Sequence, residues 1–168
     1  MLFRSIERLN PPFLDMRSAN WVAPECYETR GDAKRFENWE SYVAGRIGPG
    51  VALEYMTAIG MDNIWARIQE LASALRTELA ELRQVNVHDQ GKDRCGIVTF
   101  SCEGIGASEL SASLREKHRI NTSVSEVQLT RGKLLEVGTH EILRASVHTY
   151  NTEEEIARFI AAAKKQLG

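Results

Sequence analysis

What this chain has little of narrows it first. Its three cysteines, Cys26, Cys95 and Cys102, show no CxxC spacing, so neither a disulfide framework nor a thiolate zinc site follows from them. Free buried thiols are the expectation, because unpaired cysteine behaves as a small hydrophobe. The sequence has no HExxH, no GxSxG and no phosphate-loop motif, and thus none of the spacings that zinc peptidases, serine hydrolases and nucleoside triphosphatases use. No apolar run approaches the ~20 residues that cross a bilayer. The opening MLFRSIERLNPP has neither the apolar stretch nor the small-residue cleavage site of a secretory signal. A cytoplasmic location without a membrane partner is therefore expected. A formal charge of −2 supplies no concentrated basic face and no case for nucleic acid.

What is present is globular. With 168 residues, 43% hydrophobic and 26% charged, the chain is long enough for one core of ordinary size. Residues 1–48 differ from the rest. Pro11, Pro12 and Pro24 interrupt them, Trp21, Tyr27 and Trp39 are mixed with charges, and no helical or strand period is sustained. They are expected to form an extended arm, with Phe13, Trp21, Phe36 and Trp39 needing a partner surface. Residues 49–168 are expected to form the domain.

Within that domain a helix from Val51 gives way at GMDN, where Asp62 offers an N-cap. A second helix then repeats Ile64, Ile68, Leu71, Leu75, Leu79 and Leu82 at three- and four-residue steps, one apolar stripe. Val85 to Asp89 and Gly96 to Cys102 predict a hairpin around QGKDR. A helix from Ser108, whose hydroxyl can cap it, runs to Lys117, and HRINTSVS predicts a third strand. Glu126 to Thr139, without a clear period, is expected to be mostly loop. Glu141 to His148 predicts a fourth strand, and Asn151 or Thr152 caps a last helix that has glutamates at its start and Lys164 and Lys165 at its end. The order predicts an α+β fold, a small, mainly antiparallel sheet with helices packed on one face.

In the fourth strand, alternation sends Leu143, Ala145 and Val147 one way and Arg144, Ser146 and His148 the other. An arginine in mid-strand among apolar neighbours needs a partner or solvent. Its planar fork suits two-pronged binding of a carboxylate, and equally a structural salt bridge. His148 on the same face is a weaker site residue. The run RFENWE, Arg35 to Glu40, precedes AGRIGPG, a glycine-containing entry into a helix whose amides could meet a phosphate, or simply form a turn.

The strings RFENWESYVAGRIGPGVALEY, CGIVTF, INTSVS and LRASVHTYNTEEEI resemble the C-terminal region of class V aminotransferase-like proteins. These are fold-type I enzymes dependent on pyridoxal phosphate (PLP), and they include cysteine desulfurases, isopenicillin N epimerase-like proteins and related C–S lyases. The resemblance implies that Arg144 holds the α-carboxylate of an amino-acid substrate. It places the segment matching RFENWE near the cofactor phosphate of a neighbouring subunit, and so implies a homodimer. Desulfurases have a Gly-Thr pair there; this chain has Trp39 and Glu40, with Asn38 and Ser41 as weak substitutes for a phosphate contact. The stretch EVQLTRGKLLEVG lacks the cysteine that persulfide-forming desulfurases need.

The family's Schiff-base lysine, its pyridinium-pairing aspartate and its glycine-rich phosphate site belong to a large domain that precedes this region. MLFRS resembles that domain's last strand, and none of Lys34, Lys92, Lys117, Lys133, Lys164 or Lys165 stands in the lysine's context. The expectation is a small domain that contributes carboxylate binding, is inactive alone and takes up no covalent PLP. Whether the parent enzyme transaminates, epimerises or cleaves a C–S bond stays open, and so does a non-catalytic module that pairs with a separate large domain or with itself.

Overall fold

The computed structural model describes residues 6–168; MLFRS lies outside them. The chain forms two compact units, one ending at Tyr55 and one beginning at Met56. In the first, a short 3-10 turn at Ile6–Arg8 is followed by an antiparallel hairpin of β1 (Ala19–Ala23) and β2 (Cys26–Thr29). The segment read as an extended arm thus contains paired strands. The sequence hides them because the pairing register is irregular between Trp21 and Ala23, and neither strand has a buried face that would enforce alternation. Asp32 caps a second 3-10 turn, Ala33–Phe36, through its side chain.

Helix α1 spans Val43–Ile59, so it starts before the glycines of AGRIGPG rather than after them. Gly45, Gly48, Pro49 and Gly50 lie inside it, and the expected glycine-rich entry loop does not exist. None of its residues is buried.

In the second unit, α2 (Met61–Ala80) buries Ile64, Leu71, Leu75 and Leu79, four members of the predicted stripe. Gly60, with φ 94°, occupies the N-cap position without a side-chain cap, and Asp62, the expected cap, is already in the first turn. Strands β3 (Val85–Val87), β4 (Ile97–Cys102), β5 (Ser123–Glu126) and β6 (Glu141–Ser146) form one antiparallel sheet in the order β3-β4-β6-β5. Helices α3 (Ala107–His118) and α5 (Glu153–Leu167) join α2 over one face. Val98, Phe100, Leu143 and Ala145 point into this layer beside Leu110, Leu114, Phe159 and Ile160. Phe100 meets Phe159 edge to face at 6.2 Å, a preferred arrangement of aromatic quadrupoles.

The ends of these helices show two kinds of cap. At α5, Thr152 accepts from the Glu155 amide while Glu155 accepts from the Thr152 amide, a reciprocal box; of the two expected caps, Asn151 and Thr152, Thr152 holds the position. At α3 the expected Ser108 cap is replaced. The Ser108 amide and hydroxyl both donate to Glu141 of β6, so a carboxylate from the sheet serves the first turn.

The stretch expected to be loop contains α4 (Val127–Glu136), kinked at Thr130, where φ is −141° and ψ 44°. The kink breaks any helical period, which is why the sequence shows none. Leu134 of α4 is fully buried, and Ile142 of β6 is buried as well, yet neither belongs to the main core. They mark a small second contact on the face that α2, α3 and α5 leave uncovered.

Candidate functional site

That second face carries Arg144. Its strand β6 lies inside the sheet, and the register sets Arg144 between Thr99 on β4 and Ser123 on β5. Directly opposed residues on one face have Cβ atoms about 5 Å apart, so both hydroxyls lie beside the root of the arginine. Arg144 is half-buried, and among the described residues no hydrogen bond or ion pair engages its guanidinium. Among the described residues Arg144 forms no structural salt bridge.

The guanidinium faces a cleft of about 220 Å³. Thr99, Ser125 and His88 line it from the sheet side, and Thr130 and Val137 from α4 and the turn after it. Among the described residues no carboxylate lines this cleft. His88 follows β3 and shares 2.8 Å with the Ser101 hydroxyl through Nε2. A half-buried guanidinium among hydroxyls, with no anion against it among the described residues, has free donors for an anion, and the geometry of its fork matches a planar carboxylate.

Behind Thr99 lies a buried ion pair. Arg76 of α2 and Asp89 are 6% and 8% exposed, with Nε 2.6 Å from Oδ2. Arg76 also donates to the carbonyls of Cys95 and Ile97, and Asp89 Oδ1 accepts from the Thr99 amide at 2.9 Å and its hydroxyl at 2.6 Å. Asp89 therefore takes the place of the next residue of β3. That is why the predicted strand Val85 to Asp89 stops at Val87. Sequence reading missed Arg76, His88, Asp89 and Thr99. One signal was available: Arg76 falls within the buried arc of α2, between Ala72, Leu75 and Leu79, where a charge needs a buried partner.

His148 does not line the Arg144 cleft. Strand β6 ends at Ser146 and the chain turns, with the His148 amide donating to Asn151 and its ring stacked on Tyr150 at 4.9 Å. Asn38, Trp39 and Ser41 belong to the first unit and are exposed. The Trp39 amide, a donor that a phosphate would need, already donates to Asp15 at 2.5 Å. That bond, with the amides of Arg17 and Ser18, holds the Asp15 carboxyl below the usual carboxylate range. A larger cleft of about 390 Å³ lies between the α3–β5 connection and α5. Two of its charged groups are engaged internally: Arg158 donates to the His118 carbonyl, and Glu155 serves the α5 cap; Arg119 lines it as well.

Cys26 and Cys95 are exposed and Cys102 is half-buried, which corrects the expectation of three buried thiols. Burial pushes the Cys102 thiol up to about 11, so it stays protonated and unreactive at neutral pH. Among the described residues no group of histidine, cysteine and carboxylate side chains could hold a metal, and no helix is long and apolar enough to cross a membrane.

The profile of the family described as Aminotransferase class-V matches residues 5–159. The chain belongs to this family. It is 33% identical over 132 residues to a probable cysteine desulfurase of Xylella fastidiosa, covering 78% of this chain and 31% of that protein. It is 30% identical over 130 residues to a cysteine desulfurase of Haloferax volcanii, covering 76% and 30%. The chain thus spans about a third of the length of these relatives. In fold it is similar to the apo cysteine desulfurase of Thermococcus onnurineus, with a TM-score of 0.81 at 22% identity, covering 97% of this chain and 40% of that one. It is likewise similar to the cysteine desulfurase CsdA of Escherichia coli, with a TM-score of 0.78 at 22% identity, covering 97% and 41%.

Proteins of this family work with PLP, and one structural neighbour, C-DES, holds glycine covalently linked to that cofactor. The lysines whose side chains are described do not fit the covalent anchor. Lys34, Lys92, Lys117, Lys164 and Lys165 are all exposed and line none of the clefts described above; the Lys133 side chain lies outside the description. A Schiff-base lysine needs a desolvated pocket or a cationic neighbour to be nucleophilic at neutral pH, and no described lysine has one.

Proposed function

We propose that this segment supplies the substrate-carboxylate site of a PLP-dependent, class V aminotransferase-type enzyme that acts on an amino acid. The observation that carries the reading is Arg144: half-buried, without an anion against it among the described residues, and facing a small cleft lined by hydroxyls. PLP, when bound in the complete enzyme, stabilises negative charge at the substrate's Cα; the lysine that carries it lies outside the described side chains of this chain. Arg144 fixes the α-carboxylate and so orients the substrate, and the 168 residues alone are inactive. A persulfide route is disfavoured, because α4 and the turn after it contain no cysteine and Cys102 stays protonated.

The test is kinetic. In a complete class V enzyme that has the same RASVHTYNT motif, Arg144→Ala and Arg144→Lys are expected to raise KM for the amino acid by about 10- to 100-fold, as loss of a charge-assisted hydrogen bond implies. Unchanged KM in both variants would sink the assignment.

A second reading is favoured by α1, none of whose residues is buried. Val43, Ile47, Val51, Leu53 and Tyr55 are each more than half exposed, a cluster of large apolar side chains of the kind that marks an interaction surface. This surface is the contact through which the protein forms a homodimer or docks on a separate large domain, in the cytosol. A monomer by light scattering at micromolar concentration, with α1 resistant to protease, would remove this reading.

A further inference from the structure

The Arg76–Asp89 pair is more than a closure of the sheet edge. Thr99 stands across the register from Arg144, and its hydroxyl proton is directed to Asp89 Oδ1 at 2.6 Å. A threonine hydroxyl has one proton to donate and two lone pairs that accept. With the proton committed to a carboxylate, the oxygen can only accept from anything on the side of Arg144. Asp89 is itself held by Arg76, which is tied to the Cys95 and Ile97 carbonyls. The committed orientation of the hydroxyl is thus built into the β3–β4 end of the fold.

We propose that Asp89 is a positioning residue for the Arg144 anion site, acting through Thr99. The Thr99 oxygen accepts from the guanidinium when a carboxylate is bound, and turns the fork so that its remaining N–H groups meet both carboxylate oxygens. The inference rests on the reading of Arg144 as a carboxylate anchor. It adds that the acceptor beside the anchor is polarised from behind by a buried ion pair. The chain from Arg76 through Asp89 and Thr99 to Arg144 links the helical layer to the open face of the sheet. A free hydroxyl, able to donate as well as accept, could instead point its proton at the guanidinium and repel it; the bond to Asp89 excludes that arrangement.

The test titrates the purified 168-residue chain with L-alanine, and with L-alaninamide as the control that lacks the carboxylate. The Arg144 Nε–H signal in nitrogen-15 spectra is the readout, assigned by its loss in Arg144→Lys. Thr99→Val keeps the shape and the backbone bond to Asp89 but removes the hydroxyl, and is expected to weaken L-alanine binding about tenfold. Thr99→Ser restores the hydroxyl and is expected to bind within about threefold of wild type. Asp89→Asn, which can turn an N–H toward the hydroxyl, is expected to weaken binding as Thr99→Val does. Melting temperatures of the two Thr99 variants are measured alongside; equal melting with unequal binding is the signature that a merely structural role does not produce.

Wild type that binds L-alanine, loses it in Arg144→Lys and keeps it in Thr99→Val would overturn the positioning role and leave Arg144 in place. Wild type that shows no preference for L-alanine over L-alaninamide would overturn the carboxylate reading and this inference with it.

Discussion

Replacing Asp89 by alanine leaves the Arg76 guanidinium 6% exposed with two backbone carbonyls and no counter-charge. The Thr99 amide and hydroxyl lose their shared acceptor at the same time. Removing one partner of a buried pair typically costs about 3–5 kcal/mol, because the remaining charge stays desolvated. For a unit of the size of residues 56–168, that corresponds to a fall of about 10–20 °C in Tm. The assay is chemical and thermal denaturation of Asp89→Ala, Arg76→Met and the double variant Arg76→Met/Asp89→Leu. The double variant buries neither charge and is expected to be more stable than either single one. A cost below about 1 kcal/mol for Asp89→Ala, or single costs that simply add in the double variant, would refute the coupling described for the pair.

Other consequences follow from the same contacts. Arg144→Met should leave Tm unchanged or raised, because no ion pair is lost on the described surface; a large fall in Tm would mean that Arg144 has a structural role. Phe100→Ala, which empties a fully buried position against Phe159, should cost about 3–5 kcal/mol by urea denaturation. Thr152→Ala, which removes the reciprocal cap of α5, should cost about 1 kcal/mol. The Arg67 guanidinium beside Glu153 holds that carboxyl down to about 2. Its folded value is below the ordinary one, so the contribution is present above about pH 4.5 and is lost as pH falls toward 2. Both groups are at the surface, so the effect is small, and Arg67→Met should flatten this part of the acid profile. A thiol-reactive dye should label Cys26 and Cys95 well before Cys102, whose thiol is raised to about 11 by burial.

Much of the α+β layer was legible. The stripe of α2 and the cap of α5 are local patterns whose periods match the burial they produce. Arg144 was legible through alternation, which sets it on the face opposite Leu143 and Ala145, where a charge in mid-strand asks for an explanation. His148 was misplaced because alternation holds only while a strand lasts, and β6 ends two residues before it. The glycines around Pro49 were read as a loop because single-residue propensity argues against a helix that contains them. Helix α4 was missed because its kink at Thr130 leaves no period to read. Thr99 and Asp89 could not be found from the sequence: their meaning depends on the register between β4 and β6 and on where β3 stops, and neither is encoded in any one segment.

That this chain carries the anchor for a substrate's carboxylate and no residue that holds the cofactor covalently is tested most directly by incubating the purified chain with PLP, reducing with borohydride and mapping adducts by peptide mass spectrometry. Low-level labelling scattered over the exposed lysines is the predicted result. Stoichiometric labelling of one lysine, Lys133 included, would contradict it and would place a cofactor site within these 168 residues.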